Sequence, residues 1–326
     1  MTKAMRIHEY GGPEVLRWED VELGAPGAGE VLVRHGAVGL NFIDVYMRTG
    51  AYPQPALPAG IGLEAAGLAE ALGPGVTDLA LGDRVAYAAP PPGAYAEARL
   101  MPAAKLVKIP EGVTDNQAAA MMLKGMTAEY LLHRTYAVKP GDTILFHAAA
   151  GGVGLIACQW ARHLGATVIG TVSTAEKAAL AAAHGCDHPI IVGPDGFTEQ
   201  VRELTGGAGV RVVYDSIGKD SFEGSLDCLA PRGMMVSFGQ SSGPVPDFNI
   251  AGLASRGSLF LTRPSVMTYT AGREDLEASA AALFDVVAAG HVRIEINQTY
   301  ALADAVQAHT DLEARKTTGS TVLLPG

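Results

Sequence analysis

The run Ala149-Ala150-Gly151-Gly152-Val153-Gly154 sits between an apolar stretch, Thr143 to His147, and a segment from Val153 to Leu164 whose apolar residues recur at helical spacing. It matches the dinucleotide fingerprint GxGxxG except that Ala149 replaces the first glycine. Each part has a physical task. Gly151 lets the backbone approach a pyrophosphate, Gly154 lets the helix pack on the strand, and the helix N-terminus attracts phosphate charge. A glycine turn is a weak signal by itself in a chain with 40 glycines. Strand before, helix after and a second strand beyond make it specific.

About 20 residues after the glycines, a fold of this kind that takes NAD places an Asp or Glu on the ribose 2′-hydroxyl. The corresponding stretch here is Thr171-Val172-Ser173-Thr174-Ala175-Glu176-Lys177. Ser173 stands where the acid belongs, and its hydroxyl together with Lys177 suits a 2′-phosphate that a carboxylate would repel. Glu176 is the rival acid, but its place inside the following helix reads as a solvated first-turn residue. The expected cofactor is NADPH rather than NADH.

The elements that position these residues follow an alternating pattern. Strand candidates at Thr143–His147, Thr167–Val172, Pro189–Val192, Arg211–Asp215, Met234–Phe238 and Ser258–Thr262 are separated by segments able to form helices. Continuous apolar strands alternating with helices imply a parallel sheet covered on both faces, the doubly wound Rossmann arrangement. Phe238, Gly239 and Ser241 then follow a strand end, on the side where ligands bind. The first third of the chain differs. Short strands at Val31–His35, Ala65–Leu72, Arg84–Tyr87 and Lys105–Ile109, bounded by Gly, Pro and Asp, describe a mostly β domain.

A helical stretch from Ala118 to Tyr136 separates the two patterns and stops before Pro140-Gly141-Asp142. After Arg263-Pro264 comes an amphipathic helix, Asp275 to Ala289, then a last strand, Ser320 to Leu324, both expected to pack on the first domain. The expected division is a discontinuous domain of residues 1–125 and 263–326, with residues 126–262 forming the dinucleotide domain inserted in it. A chain of 326 residues exceeds one comfortable hydrophobic core, which agrees with two domains.

Composition narrows the partners. Net charge is −10, so phosphate polymers are repelled on average and nucleic acid is not expected. No apolar run approaches the length of a membrane span and the N-terminus lacks a signal core, so the expected location is the cytoplasm. Cys158, Cys186 and Cys228 form no CxxC pair and read as small buried residues. His147 ends a buried strand and reads as a structural histidine, and Glu64 as a holder of local hydrogen bonds.

The segments His147 to Gly154, Val213-Tyr214-Asp215-Ser216-Ile217-Gly218 and Gly257 to Pro264 resemble the quinone oxidoreductase (zeta-crystallin-like) family of the medium-chain dehydrogenase/reductase superfamily. The resemblance extends over essentially the whole chain. It implies a GroES-like catalytic domain, a Rossmann domain and a homodimer, for which the apolar edge strand Ser258–Thr262 is the expected seam. Zinc alcohol dehydrogenases in the superfamily carry ligands in a C-x-x-D segment, a GHE segment and near the interdomain helix. Here those first two segments read Asn41-Phe42-Ile43-Asp44 and Gly62-Leu63-Glu64, and an apolar Leu63 cannot ligate zinc. No metal is expected.

A site without a Lewis acid suits an acceptor that is already electron-poor, and a quinone needs little beyond alignment and hydrogen bonds to its carbonyl oxygens. By the resemblance, Asn41, Tyr46 and Tyr52 line the acceptor side and Thr127 lies near the nicotinamide. Gly152 and Val153 meet the pyrophosphate, Ser173 and Lys177 the 2′-phosphate, and Arg315 reaches the cofactor from the other domain. Two family features are missing: no basic residue follows Gly319, and Ile190-Ile191-Val192 has no tyrosine. The alternatives are an NADPH-dependent alkenal or enone double-bond reductase, and a dinucleotide-binding protein with little turnover.

Overall fold

The computed structural model describes residues 1–326. The chain divides into two compact units, one made of residues 1–124, 270–288 and 294–326, the other of residues 125–269 and 289–293.

In the second unit, six strands form one parallel sheet in the order His188–Ile191, Thr167–Val172, Thr143–Phe146, Val210–Asp215, Leu229–Ser237, Phe260–Thr262. Counted along the chain this is 3-2-1-4-5-6, the Rossmann order. Its strands are apolar on both faces because helices cover both. Leu145, Ile169, Val213 and Met235, from four neighbouring strands, are all fully buried in one core. The order reverses direction at Thr143–Phe146, which has the second strand on one side and the fourth on the other. That reversal opens a crevice beyond the strand's carboxyl end, where the Gly151 turn lies.

Two of the expected elements come out shorter or altered. The strand read from Ser258 starts only at Phe260, since Ser258 takes a left-handed φ of 59° that a strand residue cannot hold. The long helix is α-helical over Asp115–Glu129 and then widens into a π-helical turn, Tyr130–Thr135. A π turn leaves main-chain carbonyls out of the usual ladder. One of them, that of Leu131, accepts a hydrogen bond from the buried Tyr214 hydroxyl at 3.0 Å, so a sheet residue secures the distortion.

The first unit is mostly β. A seven-stranded sheet runs through Ile296–Ala301, Ser320–Leu324, Glu30–Leu40, Glu64–Leu72, Arg84–Ala88 and Val107–Lys108, with Ala98–Pro102 also paired to Glu30–Leu40. A three-stranded sheet joins Leu16–Val21, Thr2–Ile7 and Ala59–Gly60. The stretch read as a strand from Lys105 to Ile109 keeps only Val107–Lys108, because Ala103–Lys105 forms a 3-10 turn first. Helix Arg273–Ala288 and the terminal strand Ser320–Leu324 both belong to this unit, and that strand pairs antiparallel with Glu30–Leu40. Glu30–Leu40 leads through Asn41 into helix Phe42–Thr49, the segment that carries the acceptor-side candidates.

Candidate functional site

The residues singled out in the sequence fall into one group in each unit. In the second unit, the helix Gly152–His163 begins at Gly151 with no side chain capping its first turn. Its first N–H groups therefore keep their donors for a ligand, and the helix dipole adds partial positive charge at the same point. Gly154 is dictated by packing, since a Cβ there would collide with the carbonyl oxygen of Ala148. The turn is tied to the second strand by the N–H of Ala149, which donates to the carbonyl of Thr171 at 3.0 Å.

Two residues past Thr171 comes Ser173, exposed at the end of that strand, and Lys177 is half-buried in the first turn of helix Ala175–Ala183. The N–H of Lys177 is held by the Thr174 hydroxyl at 3.3 Å, a helix cap that fixes where the lysine stem departs. Glu176 is exposed, and its carboxyl lies below the usual range, first because of its own backbone N–H and then the Thr174 hydroxyl. It is a first-turn carboxylate stabilised by the helix end.

Phe238, Gly239 and Ser241 follow the strand Leu229–Ser237 and are laced to the loop after Val210–Asp215: Phe238 N–H donates to Asp215 at 2.8 Å and Ser241 N–H to Ser216 at 3.1 Å. Arg263 braces the same loop through the Gly239 carbonyl at 2.6 Å. Thr127, also in this unit, is buried in helix Asp115–Glu129. Beneath these loops, His147 has both ring nitrogens engaged, with the Thr171 hydroxyl and the Ser225 hydroxyl, each at 2.8 Å. Burial lowers its pKa while Asp215 pulls the other way. Fully buried and doubly hydrogen-bonded, it fits a structural histidine.

In the first unit, Asn41 is the N-cap of helix Phe42–Thr49, and Asp44 three positions on takes its N–H at 2.9 Å. This half of a capping box fixes the angle at which the helix leaves the sheet. Tyr46 follows on the helix and Tyr52 just after it. Their rings meet edge to face with centroids 5.1 Å apart, Phe42 lies 5.4 Å from Tyr46, and the Tyr52 N–H donates to the Tyr46 carbonyl at 2.9 Å. Asn41, Tyr46 and Tyr52 are thus brought together on one short segment. Asn41 is only 5% exposed and its Nδ2 already donates to Glu64 at 2.7 Å, which leaves one amide N–H to offer a ligand. Arg315 belongs to this unit as well, exposed just after helix Ala305–Glu313 with a left-handed φ of 59°.

Sequence reasoning missed the buried polar cluster around this segment. Tyr95 donates to Asp44 at 2.9 Å and meets His309 Nε2 at 3.1 Å, while the wholly buried Arg48 pairs with Glu313 at 2.8 Å. Burial raises the Asp44 carboxyl to about 7, against the pull of the Asn41 N–H, the Tyr95 hydroxyl and the Lys124 charge. It takes His309 down to about 3, with the Arg48 charge adding to the effect. The one local signal was Asp44 three residues after Asn41, the spacing of a cap. The other partners lie too far along the chain to be paired by eye. No three His, Cys, Asp or Glu side chains are grouped so as to hold a metal ion.

Comparison with known proteins shows the family. Residues 27–111 match the alcohol dehydrogenase GroES-like domain family and residues 152–285 the zinc-binding dehydrogenase family. The chain is 54% identical over 325 residues to a quinone oxidoreductase of Pseudomonas aeruginosa, covering 100% of both chains. It is 50% identical to a 2-haloacrylate reductase of a Burkholderia species, covering 100% of this chain and 99% of that one. Among solved structures, the Escherichia coli quinone oxidoreductase complexed with NADPH superposes with a TM-score of 0.97 at 47% identity, covering 99% of this chain and 100% of that one. With identity of this level along its entire length, the chain belongs to the quinone oxidoreductase family of the medium-chain dehydrogenase/reductase superfamily.

Proposed function

We propose that the protein is an NADPH-dependent quinone oxidoreductase that works without a metal. The observation that carries this is the 54% identity to a quinone oxidoreductase over the full length of both chains. The residues present fit NADPH: an uncapped helix N-terminus for the pyrophosphate, and Ser173 with Lys177, rather than an acid, at the end of the second strand. Thr127, Phe238, Gly239 and Ser241 complete the dinucleotide site on the same unit, and Arg315 is a further candidate for cofactor binding. In this reading residues 126–262 are the NADPH-binding domain, and residues 1–125 with 263–326 the catalytic domain.

When bound, NADPH supplies the hydride. The protein's own contribution is alignment and hydrogen bonding. The remaining amide N–H of Asn41 and the hydroxyls of Tyr46 and Tyr52 donate to the acceptor's carbonyl oxygens, while the tyrosine rings pack on its face. Asn41 and Leu63 stand where zinc relatives have ligands, so activation rests on hydrogen bonds and on the acceptor's own electron deficiency. A second reading has specific support in the 50% identity to a 2-haloacrylate reductase, whose name implies an activated C=C acceptor.

We further propose a homodimer seamed along the sheet edge. Phe260–Thr262 pairs with only one neighbour, and Phe260 and Leu261 on it are 57% and 39% exposed. An open apolar edge of this kind is closed by a twofold copy continuing the sheet. The three free cysteines suit the reducing cytoplasm, where we place the enzyme.

Three measurements test this reading. NADPH oxidation by 1,4-benzoquinone should survive exhaustive chelation and exceed that with 2-chloroacrylate in kcat/KM. Chelator-sensitive turnover with stoichiometric zinc would overturn the metal-free mechanism, and a preference for 2-chloroacrylate would favour the second reading. Light scattering at micromolar concentration should give the dimer mass, and a monomer would refute the seam. For the cofactor, a charge-assisted contact to phosphate contributes about 1.5 to 3 kcal/mol, so Lys177→Ala should weaken NADPH binding by about one to two orders of magnitude and hardly touch NADH. Ser173→Asp should shift preference further toward NADH. Equal loss for both cofactors would mean the fold, not the phosphate site, had been disturbed.

A further inference from the structure

A buried ion pair in the first unit has no part in the reaction as described so far. Glu64, at the start of strand Glu64–Leu72, is fully buried, and its carboxylate collects three donors. Nδ2 of Asn41 at 2.7 Å and Nζ of Lys124 at 3.2 Å share Oε2, and the N–H of Leu123 reaches Oε1 at 2.7 Å. Lys124 is itself only 5% exposed. Gly39 is the register partner of Glu64 on the neighbouring strand, and a Cβ there would collide with both the Ala119 carbonyl oxygen and Glu64 Oε2, so a glycine leaves room for the carboxylate and for the helix behind it. Asp44 and Tyr95 are the other ionisable groups whose fields reach this pair.

A buried Lys–Glu pair is a poor device for stability alone, because an apolar pair of similar volume packs about as well. Its chemistry suggests another task. A carboxylate only accepts, so Glu64 obliges Asn41 to turn the nitrogen end of its amide toward it. An uncompensated carboxylate behind Asn41 would then repel the electron density an acceptor gains on reduction. The Lys124 ammonium cancels that charge.

We propose that Glu64 and Lys124 are positioning residues for the acceptor: Glu64 sets the orientation of the Asn41 amide, and Lys124 supplies the positive charge that lets an acceptor oxygen become anionic beside it. The step is balanced simply. The quinone gains two electrons and one hydrogen as hydride from NADPH, becoming a hydroquinone monoanion, and a solvent proton completes the hydroquinone. The pair acts on the monoanion, before that proton arrives. This rests on the reading of Asn41 as an acceptor contact.

The test uses Lys124→Met, Lys124→Arg, the double variant Glu64→Gln/Lys124→Met, and Asn41→Ala. The probe is 4-nitrophenol, whose ionised form mimics the hydroquinone anion and reports its own protonation by absorbance. In Lys124→Met the bound phenol should titrate at higher pH than in wild type, and kcat with 1,4-benzoquinone should fall about 10- to 100-fold, the scale of one charge-assisted contact, with NADPH affinity unchanged. Lys124→Arg should recover most of both. The double variant removes both buried charges, so it should regain thermal stability lost in Lys124→Met and, with no uncompensated carboxylate left, part of the lost kcat, while staying below wild type because a glutamine amide no longer dictates the orientation of Asn41. Recovery of wild-type kcat in the double variant would overturn the proposal by making the pair purely structural, as would an unshifted phenol titration in Lys124→Met. If Asn41→Ala leaves benzoquinone KM and phenol binding untouched, the acceptor reading of Asn41 fails and the proposal falls with it.

Discussion

The main-chain N–H groups at the start of helix Gly152–His163 have no side chain to cap them, and much of the second unit is arranged around that fact. Donors left open at a helix terminus are costly when buried and useful when an anion arrives. The strand Thr143–Phe146 delivers the chain to this point at the reversal of the sheet order, Gly154 lets the helix lie close, and the hydrogen bond from Ala149 to Thr171 ties the turn to the strand that ends at Ser173. Beneath them, His147 joins Thr171 to Ser225, and Ser225 in turn donates to Asp215 at 3.2 Å. The proposed pyrophosphate and 2′-phosphate contacts therefore share one hydrogen-bonded support.

In the proposed reading the first unit solves a different problem, how to offer hydrogen-bond donors to an electron-poor acceptor without a metal. The segment proposed for it is a short helix whose N-cap is Asn41 and whose later residues include Tyr46, followed after its end by Tyr52. The helix is anchored from below by buried polar contacts: Asp44 to the Asn41 N–H and to Tyr95, and Arg48 to Glu313. Buried polar groups of this kind are worth little net energy, but each removes an alternative placement of the helix.

Much of this was legible in the sequence, for reasons that differ by element. The parallel strands showed themselves as short apolar runs because both their faces are covered, and the fingerprint stood out because strand, turn and helix followed in order. Thr2–Ile7, Leu16–Val21 and Ile296–Ala301 did not, since charged or polar residues interrupt their apolar ones: Lys3 and Arg6 in the first, Arg17, Glu19 and Asp20 in the second, Asn297, Gln298 and Thr299 in the third. The π turn at Tyr130–Thr135 has no local signature, because what secures it is a hydroxyl from Tyr214, far along the chain. The buried cluster was hidden for the same reason: Arg48 and Glu313 are 265 residues apart, and only folding makes them a pair. Lys124 was not singled out in the sequence, although a single cation inside so apolar a run is a usable hint.

The central claim is that hydride passes from NADPH to a quinone at a site that needs no metal. The most direct measurement is an anaerobic single turnover of chelator-treated protein with 1,4-benzoquinone and NADPH stereospecifically deuterated at the reacting nicotinamide carbon. The account predicts full conversion to hydroquinone in the metal-depleted protein, slowed by deuterium at one of the two positions and not at the other. Conversion regained only when zinc is added back, or a rate indifferent to deuterium at either position, would contradict it.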